Sequence, residues 1–599
     1  MLLGTREQGG RLAIGGKRPL KTRWVDVNKG DEVKPDIRCR LVAKDIAYRR
    51  DDSFYAATPP LEALRMLLSG MATDRREGAD ETKLMVLDAK KAHLHAAAER
   101  NLFIELPPEV GGGYARLLRS LYGTRGAPAL WEAFAAKQLQ NLGFRRGRSN
   151  ACVFVHSARG LRCLIHGDDF VFTGVAKQLQ WVQAALEKVV LLKVVGVLGL
   201  GSGDLAELRV LNRVIRISRE GLRYEADPRH SEILSLMLSP GSTTAVSSPG
   251  VRGTAPCCHP PQSGCATAGG SVIEESRVYS LDGGLAEEEE PAWGPEEEEE
   301  GDEVEEEVHA AGGRRLRPGR QERAARRRAE DADAEEESGG DGDELLDTRM
   351  TTLYRAAAAR ANYLALDRPE LSFASKELCR RMSSPRQRDM WALRRVCRFL
   401  RGAPRVAYEF PWQTAGGALQ VYADTDFAGC LETRRSTSGG CALVGQHLVK
   451  HWSVTQKCVT LSSGEAELGG LVKACGEGLG LVSLGRDLDL PLVLQVFADS
   501  SAAIGICRRS GIGRVRHLAV GQLWVQECLR EGTFTLFKVL GSANPADLFT
   551  KHLARAAIQQ HWQVLGVGVE DGRACSAPSV SAEIEAWLSP PPSAVSQTA

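Results

Sequence analysis

No run of apolar residues in this chain is long enough to cross a membrane. The most apolar stretch, Val189 to Leu200, is short and carries Lys193, whereas a spanning helix needs about twenty apolar residues. The N-terminus lacks the apolar core of a secretory signal, so export is not expected. A disulfide framework is also missing. The 15 cysteines are scattered singly apart from Cys257-Cys258, as buried thiols in a reducing compartment are. Cys257-Cys258-His259 with Cys265 lacks zinc-knuckle spacing, so no metal is assigned there. Net charge is nearly absent, +1 over 599 residues, which argues neither for nor against nucleic acid.

That average conceals segregation. Acidic residues concentrate between Glu287 and Asp347 and leave the rest of the chain basic, which suits a polyphosphate partner. With 43% hydrophobic and 26% charged residues the composition is that of a globular protein, and the length predicts two or three domains.

Five zones follow along the chain. Residues 1–240 alternate short apolar runs with helical patterns, as a mixed α/β domain does. Within them Thr58-Pro59-Pro60-Leu61-Glu62 opens a helix, with Leu61, Leu64, Leu67 and Leu68 as its apolar stripe. Residues 241–347 are of low complexity, with glutamate runs around an arginine block from Arg314 to Arg328. Such a segment buries too little apolar surface to offset its ordering entropy, so it is expected to be disordered. Residues 348–412 are helical and basic, 413–556 alternate strands and helices again, and 557–599 thin into a flexible Ser/Pro/Ala tail.

Two constellations carry chemistry. Lys83 to Leu87 is an apolar run ending in Asp88; Leu161 to Ile165 leads into His166-Gly167-Asp168-Asp169 and then Phe170-Val171-Phe172, a predicted hairpin with two aspartates at its turn. Phosphoryl transfer needs metal ions that hold the attacking and leaving oxygens in line, and Mg²⁺ takes a few carboxylates plus substrate phosphates. In the second half, Asp424 and Asp499 each follow an apolar β-type run, Glu467 sits on a predicted helix and Asp547 opens another. Four carboxylates from separate elements can converge on two metals and activate a water. Each alone is ordinarily a cap or turn residue; the order and context carry the reading.

That context resembles copia-type retrotransposon Pol polyproteins. Leu87-Asp88-Ala89-Lys90-Lys91-Ala92-His93-Leu94-His95 is similar to the family's L-D-V-K-N-A-F-L-H-G, and Ile104 to Pro108 to M-E-Q-P-P. Leu121-Tyr122-Gly123 through Trp131 resembles L-Y-G-L-K-Q-S-P-R-A-W, and His166-Gly167-Asp168-Asp169 stands in the place of Y-V-D-D. Further on, Asp424-Thr425-Asp426-Phe427-Ala428-Gly429, Arg434-Arg435-Ser436-Thr437-Ser438-Gly439, Leu461 to Leu468, Phe497 to Ile504 and Asn544 to Lys551 resemble S-D-A-D-W-A-G, R-R-S-T-S-G, L-S-S-T-E-A-E-Y, C-D-N-Q-S-A-I and L-A-D-I-L-T-K.

The resemblance implies a fold, an activity and a set of site residues. The fold is α/β (α+β): polymerase fingers and palm over 1–240, the charged linker, a helical thumb-like connection over 348–412, and an RNase H-like mixed-sheet domain over 413–556. The activities are RNA-directed DNA polymerase and ribonuclease H, with two Mg²⁺ (or Mn²⁺) ions per site. Asp88, Asp168 and Asp169 would hold one pair of ions, and Asp424, Glu467, Asp499 and Asp547 the other. Asp426 and Glu465, each two residues away from a match, are set aside. Arg40 and Lys44 match positions that grip the incoming triphosphate, and Tyr122 and Gly123 would lie near the nascent base pair. His93 stands where the family has an aromatic that excludes a ribose 2′-hydroxyl, which puts deoxynucleotide selectivity in question. His517 matches a family histidine, with a plain packing role equally open. Expected partners are RNA template, DNA primer, RNA–DNA hybrid and deoxynucleoside triphosphates, in a cytoplasmic particle and/or the nucleus. Arginines of the connection would track the hybrid's phosphates, so binding weakens with salt. The charged insert resembles no element of the family; a flexible tether, a charge-switched partner tail and coding drift are all open, and if it competes with template for basic surface, deleting 286–347 should raise template affinity at low salt.

A second reading is a catalytically silent, truncated relic that at most binds nucleic acid. The His93 substitution, the insert and the lack of anything resembling nucleocapsid, protease or integrase favour it; seven intact carboxylates favour an enzyme. A viral RNA-copying polymerase, suggested by Gly167-Asp168-Asp169, leaves the nuclease blocks unexplained.

Overall fold

The computed structural model describes residues 2–4, 19–28, 37–46, 56–73, 81–99, 101–237, 245–250, 342–414, 417–513 and 515–577. The charged insert expected at 241–347 therefore lies almost wholly outside the described residues. Among those described, no helix is long and apolar enough to cross a membrane.

After a short strand at Leu2–Gly4, which pairs with Tyr114–Arg116, comes a two-stranded ribbon, β1 (Thr22–Asn28) and β2 (Ile37–Ala43). Helix α1 (Leu61–Thr73) follows the proline pair as expected, but every residue from Ala63 to Ala72 is buried, not a stripe alone. The reason is its central place: α1 packs on strands of three different sheets. That environment includes Arg65, only 3% exposed, whose guanidinium is matched by Asp367 at 2.8 Å. A buried cation persists only with such a partner.

Next comes the sheet that carries the first aspartates: β3 (Thr82–Ala89), β4 (Arg145–Arg146), β5 (Val153–His156), β6 (Leu161–His166), β7 (Asp169–Val175) and β8 (Leu192–Leu198), in the order β8-β3-β7-β6-β5-β4. Helices α2 (Ala127–Asn141) and α3 (Ala176–Glu187) bury Trp131, Leu139, Leu179 and Val182 in the same cluster as Leu87, Phe170 and Phe172. Strands β9 (Glu207–Val210), β10 (Arg213–Ile217) and β11 (Gly221–Glu225) then start a second sheet, and α4 (Pro228–Met237) closes the segment.

The connection is helical as expected: α5 (Thr348–Leu364), α6 (Ser372–Arg380) and α7 (Gln387–Gly402). Several of its arginines bond to other parts of the protein. Arg355 donates to the carbonyls of Met382 and Ser383, Arg381 pairs with Glu432, and Arg401 donates to the carbonyl of Ser235. These side chains are engaged within the protein; Arg394 is exposed. Strand β12 (Val406–Pro411) ends the connection by pairing with β11.

The last sheet has the mixed pattern the sequence suggested. Strands β13 (Ala418–Asp426), β14 (Thr437–Val444) and β15 (His447–Thr455) form an antiparallel meander, and β16 (Val493–Ala498) and β17 (Thr535–Lys538) add in parallel, giving β15-β14-β13-β16-β17. Helices α8 (Ser463–Asp487), α9 (Ser501–Arg508) and α10 (Trp524–Arg530) pack around it.

The tail expected from residue 557 needs correction. Residues Arg555–Val564 form helix α11, and Val567–Val569 form β18, which pairs with β12. The second sheet is thus β9-β10-β11-β12-β18, drawn from three of the expected zones. Apolar Val567 and buried Trp562 and Leu565 dock there. A three-residue strand supplied from far along the chain leaves no local period to read.

Candidate functional site

The first carboxylate cluster is set by strand register. Asp88 is directly opposite Asp169 in the β3–β7 pair, and β7 is joined to β6 by the two-residue turn Gly167-Asp168. Gly167 has φ 62°, as the first central residue of a type II′ hairpin turn requires. The turn is pinned from two sides: the Ala89 amide donates to the Asp168 carbonyl at 2.8 Å, and the Trp131 indole donates to the Gly167 carbonyl at 2.7 Å. Asp88, Asp168 and Asp169 consequently offer oxygens all within 4.8 Å of one another. Burial, Asp168 and Asp88 together push the Asp169 carboxyl up to about 6.

Around it stand the other expected residues. The His93 ring lies 4.6 Å from the Tyr122 ring, and the Arg40 guanidinium sits 5.3 Å above Tyr122. Burial lowers the His93 pKa, against Asp168 and with Arg40, so the imidazole is neutral at pH 7. Its Nδ1 is buried without a hydrogen-bond partner. Gly123 has φ 83°, and a Cβ there would fall 2.1 Å from the Ala43 carbonyl oxygen, so this position fits glycine alone. Lys44 is exposed on the ribbon, one residue past β2.

The second cluster is assembled from four elements. Asp424 lies near the end of β13, Glu467 in the first turns of α8, and Asp499 just past β16; their oxygens also lie within 4.8 Å. Asp547 sits in a short 3₁₀ turn (Pro545–Phe549), not the α-helix expected, and joins the same group through a hydrogen bond with Asp424 and through Lys551. Lys551 Nζ is 2.8 Å from Asp547 and 3.8 Å from Asp424. Burial and the Asp424 and Asp499 charges push Glu467 up to about 9; burial pushes Asp547 up to about 6 against the pull of Lys551. Burial and Asp424 also raise Asp499.

The residues set aside are accounted for. Asp426 shares a face with Asp424, as a two-residue step on a strand dictates, but it looks toward Lys376, whose Nζ bonds the Thr437 hydroxyl at 2.7 Å. Glu465 instead pairs with His517 Nε2 at 3.0 Å and accepts the Leu461 amide. His517 thus faces Glu465 and not the cluster.

Three residues were missed in the sequence. Thr550 is fully buried and its hydroxyl donates to Asp424. Asn544 Nδ2 donates to the Ala423 carbonyl at 2.9 Å while its Oδ1 caps the 3₁₀ turn at Ala546. Lys551 completes the set. Asn-Pro is a helix-start signal and Asp547/Lys551 an i,i+4 pair, so both were readable in the Asn544–Lys551 block.

Both donor sets fit a divalent cation. They are oxygen-only, which suits Mg²⁺ or Mn²⁺ and not zinc. Three carboxylates crowd together in each, and Asp499 Oδ1 is buried with no hydrogen-bond partner.

The chain is similar to several known proteins. Residues 14–201 match the family described as reverse transcriptase (RNA-dependent DNA polymerase). The chain is 29% identical over 225 residues to the Retrovirus-related Pol polyprotein from transposon RE1 of Arabidopsis thaliana, covering 37% of this chain and 15% of that one. It is 23% identical over 576 residues to the Retrovirus-related Pol polyprotein from transposon TNT 1-94 of Nicotiana tabacum, covering 92% of this chain and 36% of that one. The chain therefore spans only a minor part of these relatives' length. A foamy viral protease-reverse transcriptase solved with an RNA/DNA hybrid aligns over 90% of this chain and 54% of its own at 12% identity and a TM-score of 0.43, a likeness too loose to carry an argument.

Proposed function

The chain belongs to the copia-type family of retrotransposon Pol polyproteins, and on that premise we propose that it is an RNA-directed DNA polymerase with ribonuclease H activity. The observation that carries this reading is the pair of separate carboxylate clusters, each gathered within 4.8 Å from segments distant in sequence. Bound Mg²⁺ or Mn²⁺, two per site, would supply the positive charge that phosphoryl transfer requires.

The protein's own part follows from its side chains. Asp88, Asp168 and Asp169 would hold the ions, beside which the 3′-hydroxyl of a DNA primer would attack the α-phosphorus of a deoxynucleoside triphosphate, expelling pyrophosphate and giving its proton to solvent. Arg40, stacked on Tyr122, and Lys44 present positive charge to the triphosphate. Tyr122, Gly123 and His93 would border the new base pair and its sugar. At the other site, Asp424, Glu467, Asp499 and Asp547 would orient the water that cuts the RNA strand of the hybrid. Attack of that water would break the bond from phosphorus to the 3′-oxygen, which a solvent water would protonate. We place this work inside the cell, on RNA template and RNA–DNA hybrid.

The test is primer extension on an RNA template beside cleavage of a labelled RNA–DNA hybrid, each with Mg²⁺ or Mn²⁺. Extension and cleavage are both expected. Failure of both with folded protein that still binds hybrid would favour the silent-relic reading.

A further inference from the structure

Helix α8 joins the two halves of the molecule. Glu467 stands near its N-terminal end, and the twenty residues from there to Asp487 make about 30 Å of helix. The far end leaves the nuclease fold and enters the polymerase sheet. The Asp487 carboxylate, in a residue only 4% exposed, accepts the backbone amides of Arg148 at 2.8 Å, Ser149 at 2.8 Å and Asn150 at 3.0 Å, and also the Ser149 hydroxyl. These residues form the β4–β5 loop. Gly147 lets the loop close on the carboxylate, since a Cβ there would fall 2.7 Å from Asp487 Oδ2.

The next residues are held as well. Arg162 of β6 donates to the Leu488 carbonyl at 2.7 Å. Arg145 of β4 pairs with Asp489 at 2.6 Å, and the Ser157 hydroxyl donates to Asp489. Leu490 packs against α1 at Gly70. Burial works against the charge on Asp487, yet the Ser149 hydroxyl and the three amides outweigh it and hold its pKa down. A buried carboxylate bound by three amides and a hydroxyl is a directional lock, because the ring of donors fits only an acceptor.

The lock lies in line with both clusters. Arg162 is on the strand whose end, His166, leads directly into Asp168, and Asp487 is on the helix that carries Glu467. The other flank of the nuclease fold rests on α1, where Lys450 pairs with Glu62 and the Ser69 hydroxyl bonds His447 Nδ1 at 2.9 Å. The sheet is also held by Ser372 and Tyr408 on His451 and by Lys376 on Thr437, so loss of the lock would loosen it without detaching it.

We propose that Asp487 is a positioning residue which, with Arg145 and Arg162, fixes the spacing between the polymerase and nuclease sites, and so the distance from the primer end at which the RNA is cut. This rests on the function proposed above.

The experiment uses the full chain and a hybrid with one defined primer 3′-end, and maps every cut. Asp487→Asn, which turns one acceptor into a donor facing the amides, should lower the share of the main cut at least twofold and spread cleavage over neighbouring nucleotides. Primer extension and total cleavage of a blunt hybrid should stay within twofold of the parent. The double variant Arg145→Ala/Arg162→Ala leaves Asp487 capped and should also broaden the cuts, which guards against misfolding of the first variant. An unchanged cut pattern in both overturns the proposal. If the parent has neither activity, the functional reading fails, and spacing is read directly. Spin labels inserted as unnatural amino acids at exposed Gln180 and Glu527 should give a narrow distance distribution in the parent and a broader one in Asp487→Asn; equal widths overturn the proposal.

Discussion

The two carboxylate clusters have the same composition in kind and opposite construction. Asp88, Asp168 and Asp169 come from two paired strands and the turn between neighbours, so their spacing follows from register alone. Asp424, Glu467, Asp499 and Asp547 come from a strand, a long helix, a strand end and a 3₁₀ turn, so theirs depends on tertiary packing. The first site is partly open, with Asp168 exposed; the second is closer and contains a cation of its own, Lys551. A register-built site is robust to loss of any one supporting contact. A packing-built site is only as exact as the side chains around it.

The largest effects should separate the sites completely. Asp169→Asn should lower primer extension by at least about 100-fold and leave hybrid cleavage unchanged. Asp499→Asn should do the reverse. Loss of both activities from either change would mean the clusters are not independent, and the comparison would fall.

Removing a supporting hydroxyl or indole should expose the difference in construction. Thr550→Val takes the donor from Asp424 and should reduce cleavage about 10- to 100-fold, the usual cost when the partner of a metal ligand is lost. Trp131→Phe takes the indole donor from the Gly167 carbonyl, yet β3 and β7 still pair Asp88 with Asp169. Extension should fall by less than about 10-fold. Equal losses would show that register does not protect the first site.

What could be read from the sequence divides along the same line. The first cluster was legible because a strand, a two-residue turn and a second strand are contiguous and periodic. The second was legible only as separate acids within resembling blocks. Lys551, Thr550 and Asn544 went unassigned because their roles exist only once β13 meets the 3₁₀ turn. Helix α8 was expected on the residues near Glu467, but its length was not readable: glycines at 464, 469, 470, 476, 478, 480 and 485 disfavour helix, and packing overrides that propensity. Strand β18 and the total burial of α1 were hidden for a related reason, since each is decided by partners far away in the chain.

Crowded carboxylates also predict how the metal-free protein responds to pH. Asp169 and Glu467 are raised in the folded state to about 6 and about 9, so folding favours their protonated forms. The stability this contributes is full below the unfolded carboxylate range, near 4, and is lost as pH rises through each folded value. Their contribution to the metal-free Tm, read as the difference between the parent and the Asp169→Asn or Glu467→Gln variant, should therefore fall from pH 5 to 9, and Mg²⁺ should restore more of it at pH 9 than at pH 5. Above pH 7 the carboxylate part of the slope belongs to the second cluster, beside that of the buried thiols, which burial also raises. Glu467→Gln should remove the carboxylate part, a change of about 2 °C by calorimetry, while Asp169→Asn should leave it.

The smallest effect sharpens the open site. His93 stands against Tyr122 with its Nδ1 buried and unpartnered, and burial keeps the ring neutral. An imidazole there is smaller than a benzene ring and offers a polar atom to a ribose 2′-hydroxyl, so ribonucleotides should be excluded weakly. His93→Phe fills the space with an apolar edge and keeps the stack on Tyr122. The ratio of deoxy- to ribonucleotide incorporation should rise about 10-fold, the scale of a change of this size in one pocket wall, with hybrid cleavage unaltered. Single-nucleotide extension with each triphosphate measures it. An unchanged ratio would mean that the sugar does not lie against residue 93, and that the open site takes its substrate along some other wall.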